Sequence, residues 1–215
     1  MRMTGIEKRF VNSIGHSRSV ADEAVRRLSH VPVERGWSYL DVGCGNGAAT
    51  LRVADTFGVR VVGVDVDPQQ IALARTAAGD RTDVLFMTAD ATRLPFEDGR
   101  FDIAATNKAT HHVPRWSSAL GEMRRVLKPH GYLVYADLKA PSWLAWAVKP
   151  LAGHAGVFTA AELDRCFASL QRIHRDTGWL HYEAILQKPP TGRERPRATP
   201  GLEAPPSSDS RHWPC

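Results

Sequence analysis

Two short stretches of this chain carry residue types whose spacing could do chemistry. The first is Asp41-Val42-Gly43-Cys44-Gly45-Asn46-Gly47, with Asp65 eighteen residues further on. Glycines allow a tight turn and let a ligand approach the backbone. An acid at the end of the following strand can accept both hydroxyls of a ribose. Together they mark an adenosine site. Gly43, Gly45 and Ala48 also satisfy the G-x-G-x-x-G/A pattern of dinucleotide-binding turns, so a nicotinamide-dependent oxidoreductase stays open as the alternative. Against it, the chain is short for two mononucleotide halves plus a substrate domain. The plainest third reading is a glycine turn and a helix-start acid with no ligand at all. The second stretch is Thr110-His111-His112-Val113. Imidazole titrates near neutrality, so His111 or His112 could take a proton or orient an acceptor. A packed loop histidine bonded to backbone is the bland alternative. His154 and His16 are further candidates near a substrate.

Positioning these residues requires elements that alternate in a regular way. Ser17 to His30 reads as an amphipathic helix, with Ser19 to Asp22 resembling a capping box. Trp37 to Val42 is a short apolar run that ends in the glycines, and Ala48 to Phe57 has helical period. Val59 to Val64 is a β-branched run suited to a strand buried on both faces. Asp67 caps a helix with Pro68 at its first position, running to Ala78. Val84 to Met87, Phe101 to Thr106 and Gly131 to Asp137 read as three more strands, with a helix over Trp116 to Leu127 closed by Pro129. This alternation predicts an α/β fold, a doubly wound and mostly parallel sheet with helices on both faces. Beyond Asp137 a short apolar helix holds Trp143 and Trp146. Thr159 and Glu162 form a capping box for a helix through Leu170, and two last strands span Arg172 to Asp176 and Trp179 to Gln187.

The expected organisation is an N-terminal helical arm (1–35), one domain (36–187) with an apolar, lid-like insertion (138–158), and a proline-rich tail (188–215) that reads as disordered. Composition narrows the class. The 215 residues carry a net charge of +5 without a Lys/Arg block, so no nucleic-acid partner is expected. Cys44, Cys166 and Cys215 share no metal-ligand spacing. Asn107 and Asp137 alone fall short of a hard-oxygen set, so no metal is expected. The first nine residues lack the apolar core of a signal peptide, and no apolar run is long enough to span a bilayer. A cytoplasmic protein, monomer or homodimer, without stable membrane insertion, is the expectation.

Leu40-Asp41-Val42-Gly43-Cys44-Gly45-Asn46-Gly47 resembles the first motif of the class I S-adenosylmethionine-dependent methyltransferases, and Val62-Gly63-Val64-Asp65 with Asp67-Pro68 resembles the second. Asp90-Ala91, Leu94-Pro95-Phe96 and Phe101-Asp102 are similar to the segment through the fourth strand. Met123 to Leu133 is similar to the approach to the fifth strand in the small "type 11" group. The resemblance covers Tyr39 to Asp137. It implies a Rossmann-like, seven-stranded sheet with the last strand antiparallel, and S-adenosyl-L-methionine as cofactor. Gly43, Gly45 and Gly47, with Cys44 and Asn46 between them, would let the backbone approach the methionine part, with Asp41 fixing the turn or the amino group. Asp65 would take the ribose, Val66 would pack on the adenine, and Asp90 and Ala91 would pair with its edge. Asn107 would lie beside the methionine portion. The implied reaction is methyl transfer to a small, apolar or aromatic acceptor at O, N or C. Trp143, Trp146, His154 and His16 are the expected acceptor-side residues. A cofactor-binding protein without turnover is the remaining class.

Overall fold

A computed structural model of the chain describes residues 14–148 and 156–190. Helix α1 (Ile14–Leu28) leads into β1 (Ser38–Val42), α2 (Ala48–Phe57), β2 (Arg60–Asp65), α3 (Pro68–Ala78), β3 (Val84–Thr88) and β4 (Phe101–Asn107). A single 3-10 turn (Thr110–His112) precedes α4 (Trp116–Val126) and the long β5 (Leu127–Leu138). Two short helices follow, α5 (Ser142–Val148) and α6 (Ala160–Cys166), and then β6 (Gln171–Thr177) and β7 (His181–Gln187). The sheet order is β3-β2-β1-β4-β5-β7-β6. Strands β1 to β5 are mutually parallel, while β7 lies antiparallel between β5 and β6. The seven-stranded, doubly wound α/β sheet is therefore as the sequence implied.

The central strands are buried on both faces. Leu40, Val42, Val64, Leu133 and Tyr135 pack with Leu120, Met123 and Phe167 on one side; Tyr39, Val61, Ile103 and Ile185 pack with Leu28 and Val53 on the other. The segment read as an N-terminal arm thus supplies core. It is also tied down by charge. Arg27 is only 5% exposed, and its Nε donates to Glu183 Oε2 on β7 at 2.7 Å, beside Arg26 Nη2 at 3.0 Å. Burial pushes the Glu183 carboxyl up, but the two guanidinium groups outweigh it and hold it below the usual range.

Several boundaries depart from the sequence expectation for local reasons. Ser19 lies inside α1 rather than at its cap, because the turn before it continues the same helix. The fifth strand starts at Leu127, four residues early. Pro129 cannot continue a helix, and the residue before a proline prefers extended backbone, so the chain turns directly from α4 into the strand. Helix α6 stops at Cys166, and Phe167 to Leu170 close in a turn whose apolar side chains stay buried. Trp179 and Leu180 sit in the turn before β7 rather than inside the strand. The Asp67–Pro68 helix start holds as read, since Asp67 accepts the Gln69 N–H at 2.9 Å. So does the capping box, in which Thr159 and Glu162 bond each other's backbone.

Candidate active site

The carboxyl ends of β1, β2 and β4 surround a cavity of about 630 Å3, within the usual range for a small-molecule site. Its floor is the glycine turn between β1 and α2. Gly43, Gly45 and Gly47 all adopt positive φ, a region that suits glycine. The close approaches differ, however. A Cβ at Gly43 would meet the Ala109 side chain at 2.3 Å and one at Gly47 the Phe86 ring at 2.6 Å, whereas Gly45 has no atom nearer than 3.9 Å. Glycine at 43 and 47 is thus demanded by neighbouring protein, and only at Gly45 is the space open. Gly43, Cys44, Gly45 and Asn46 line the cavity; Asp41 and Gly47 lie behind it. Asp41 is buried and accepts from Thr50 Oγ1 at 2.6 Å, pinning α2 to the turn. Burial pushes its carboxyl up to about 6, against the Thr50 hydrogen bond that lowers it, and the nearby Asp65 raises it further. The buried Cys44 thiol is likewise pushed up.

Asp65 ends β2. Its Oδ2 accepts the Gly45 N–H at 3.0 Å and its Oδ1 the Asp67 N–H at 2.9 Å. Burial raises its pKa despite these bonds. Each carboxylate oxygen has a second lone pair, so the same group can still accept from a diol. Val66, Asp90 and Ala91 line the same wall, and Val66 is exposed. Asp90 Oδ1 accepts from the Thr92 N–H and hydroxyl, both at 2.8 Å, which hold its pKa down. On the β4 side Asn107 lines the cavity with both Nδ2 and Oδ1 buried and without a hydrogen-bond partner among the described residues. Buried amides are normally paired, so this one is poised for a polar ligand.

The histidine turn closes the other side of the cavity, and both rings line it. His111 Nδ1 lies 2.5 Å from Asp137 Oδ1, at the end of β5. The Asp137 side chain is fully buried. It also accepts from the Thr110 N–H at 2.7 Å, the Thr110 hydroxyl at 2.5 Å, the His111 N–H and the Leu138 N–H. The Thr110 hydroxyl in turn meets Tyr135 OH at 2.8 Å. A carboxylate only accepts, so His111 carries its proton on Nδ1 and leaves Nε2 able to accept. The His112 ring lies 3.9 Å from that of His111. Gly156 rests on this turn, where a Cβ would stand 2.7 Å from the carbonyls of Thr110 and Val113.

Asp137, Thr110 and Tyr135 had no assigned role in the sequence reading. The usable signal was position: Asp137 is an acid at the carboxyl end of a strand, where open α/β sheets bind ligands. Trp143 is not among the residues lining the cavity and is 67% exposed. His154 and the side chains of His16 and Trp146 lie outside the described residues. No group of metal-ligating side chains occurs among the described residues.

Residues 40–135 match a family model described as a methyltransferase domain. An uncharacterized methyltransferase of Synechocystis sp. is 36% identical over 156 residues, covering 71% of this chain and 68% of that protein. The 27-O-demethylrifamycin SV methyltransferase of Amycolatopsis mediterranei is 37% identical over 56% of this chain and 48% of its own length. The demethylmenaquinone methyltransferase of Beutenbergia cavernae is 35% identical over 62% and 52%. Against these last two, the chain spans about half the length of the relative. Among solved structures, the PH0226 protein of Pyrococcus horikoshii superposes with a TM-score of 0.68 at 24% identity, over 83% of this chain and 93% of that one. The [4+2]-cyclase SpnF gives 0.68 at 20% identity, over 80% and 81%. A cyclase on the same frame shows that the fold alone does not fix the reaction. With the fold, the glycine turn and these relatives together, the chain belongs to the class I S-adenosylmethionine-dependent methyltransferases.

Proposed function

We propose that the chain transfers the methyl group of S-adenosyl-L-methionine to an acidic hydroxyl of a small, apolar or aromatic acceptor, with His111 as the base. The observation that carries this reading is the 2.5 Å contact between His111 Nδ1 and the buried Asp137 carboxylate. A cofactor of this kind fits the residues present. The Asn107 amide is buried and unpaired, Asp65 retains acceptor capacity, and Gly45 leaves open space over the turn.

Gly43, Cys44, Gly45, Asn46 and Asn107 would hold the methionine end, Asp65 the ribose, and Val66, Asp90 and Ala91 the adenine. When bound, the cofactor supplies an electrophilic methyl on a sulfonium, already an excellent leaving group. The protein's part is therefore positioning, exclusion of water and removal of one proton. His111 takes the acceptor's hydroxyl proton at Nε2. Asp137 holds the imidazole in the right tautomer and stabilises the cation that forms, as carboxylates do in other histidine dyads. Thr110, clamped by Tyr135, fixes the second Asp137 oxygen, so that the first stays on His111. By their names, one relative acts on a 27-O-demethylated rifamycin, in keeping with a hydroxyl acceptor, and another on demethylmenaquinone, in keeping with an apolar one.

Calorimetric titration with S-adenosylmethionine, S-adenosylhomocysteine and NAD, on the wild type and Asp65→Ala, tests the cofactor. Micromolar binding of the first two, weakened in the variant, supports the reading; binding of NAD alone sinks it. A panel of phenols and enols against non-acidic acceptors then tests the chemistry. Turnover restricted to acceptors without an ionisable hydroxyl would refute the role of His111.

A further inference from the structure

His111 has three polar groups that can fix its place beside Asp137, and all three are engaged. Its ring Nδ1 meets Asp137 Oδ1, and its backbone N–H donates to Asp137 Oδ2 at 3.2 Å. Its carbonyl accepts the Gly156 N–H at 2.9 Å. In a helical turn the unpaired N–H groups face the N-terminal end and the unpaired carbonyls the C-terminal end. Asp137 and Gly156 therefore grip the Thr110–His112 turn from its two ends.

The carbonyl end leaves no room for a side chain at 156. A Cβ there would stand 2.7 Å from the carbonyl oxygens of both Thr110 and Val113, and 3.4 Å from His111 Cα. Both oxygens are backbone, and that of Thr110 also accepts the Val113 N–H at 2.9 Å, which closes the turn. Gly156 is not one of the glycines with positive φ, so its own conformation suits alanine equally well. The demand for glycine comes from the turn that carries His111. Gly156 is held in its own right by Phe158, two residues on, which is buried with its ring 5.1 Å from that of Trp116 at the start of α4. The Phe158 carbonyl accepts the Ala140 N–H at 2.9 Å, three residues beyond Asp137. The grip on the turn is thus tied to the same strand end that supplies the acid.

We infer that Gly156 is a positioning residue for methyl transfer: it clamps the carbonyl end of the turn, so that the His111 ring stays seated on Asp137 at the cavity wall. The inference rests on the reading of His111 as the base. An alanine at 156 would have to part from the turn by about 0.3 Å to reach 3.0 Å, and by about 0.7 Å to reach ordinary contact. Misplacement of a reacting group by about 1 Å can cost about 10²-fold in rate.

The test combines NMR of the full chain with kinetics. In the wild type the Gly156 amide should exchange as slowly as those of Thr110 and His111, and the His111 Nδ1 proton should resonate far downfield. Gly156→Ala should speed exchange of that ring proton with water by at least about tenfold. Gly121→Ala on α4, where a Cβ meets nothing within 4 Å, should leave it unchanged. With the phenols of the acceptor panel, Gly156→Ala should lower kcat by about tenfold to 100-fold. KM for S-adenosylmethionine and affinity for S-adenosylhomocysteine should stay within about twofold, because Gly156 does not line the cavity. In a His111→Gln background the same substitution should cost less than about twofold more, since groups that act as a unit are not additive. A freely exchanging Gly156 amide in the wild type, an unchanged ring proton in Gly156→Ala, or a loss that multiplies onto that of His111→Gln overturns the proposal. A wild type without the Nδ1 proton, or a His111→Gln variant that methylates phenols as the wild type does, fails the base reading itself and takes the proposal with it.

Discussion

Asp137→Asn keeps the volume of a fully buried side chain and changes only its hydrogen bonding. The carboxylate accepts from five donors: Thr110 N–H and hydroxyl and His111 N–H on Oδ2, His111 Nδ1 and Leu138 N–H on Oδ1. An asparagine oxygen will take the Oδ2 position, where three donors converge. Its amide then faces His111 Nδ1 and the Leu138 N–H. His111 responds by accepting at Nδ1 and carrying its proton on Nε2, the wrong tautomer for a base. General-base catalysis contributes roughly 10²- to 10⁴-fold, so kcat with a hydroxyl acceptor should fall by about that factor. The Leu138 N–H loses its acceptor at a cost of about 1–3 kcal/mol in unfolding free energy. Cofactor affinity should stay within about twofold, since Asp137 does not line the cavity. The assay is steady-state methyl transfer from pH 6 to 9 on the wild type, Asp137→Asn, His111→Gln and the double variant, with calorimetry of S-adenosylhomocysteine alongside. Groups that act as a unit are not additive. The double variant should therefore be no slower than the slower single one. Multiplied losses in the double variant, or equal losses of kcat and cofactor affinity in Asp137→Asn, would refute the dyad.

Three further changes probe the frame around the site. Asn107→Leu removes a buried amide that has no partner among the described residues; the melting temperature of the free protein should hold or rise, while S-adenosylmethionine binds at least about tenfold more weakly, and an unchanged Kd would deny the amide its role. Asp41 has its carboxyl raised from 3.8 to about 6, which costs about 3 kcal/mol above pH 6 and less as the folded state takes up a proton between pH 6 and 4. Asp41→Asn should thus stabilise the free protein most at pH 7.5 and much less at pH 5, as read from urea midpoints; a gap that widens on acidification would refute this. Glu183→Gln leaves the buried Arg27 with only the partly exposed Glu23 and should destabilise by about 3 kcal/mol, with faster hydrogen exchange in α1; exchange confined to β7 would show that the pair does not anchor the helix.

Much of the frame was legible along the chain because its signals are local. Glycines at 43, 45 and 47 between an apolar run and a helical period announce a strand–turn–helix. Asp67-Pro68 and Thr159 with Glu162 announce helix starts, since caps satisfy backbone donors a few residues away. Asp65 was found because its distance from the glycines is fixed by one helix and one strand.

What lay beyond the sequence is what depends on neighbours distant along it. Strand order brings β4 beside β5 and sets Asp137 under a histidine 26 residues earlier. Periodicity carries no such information, so the acid that orients His111 was invisible while the histidine itself was not. The demand for glycine at 43 and 47 belongs to the same class, because it comes from Ala109 and Phe86. So does the place of Trp179, which the pairing of β7 with β5 and β6 leaves in the turn. Sequence determines the elements and the cofactor-side motif through short-range spacing. Only the packed sheet selects which side chains meet, and those meetings make the chemistry.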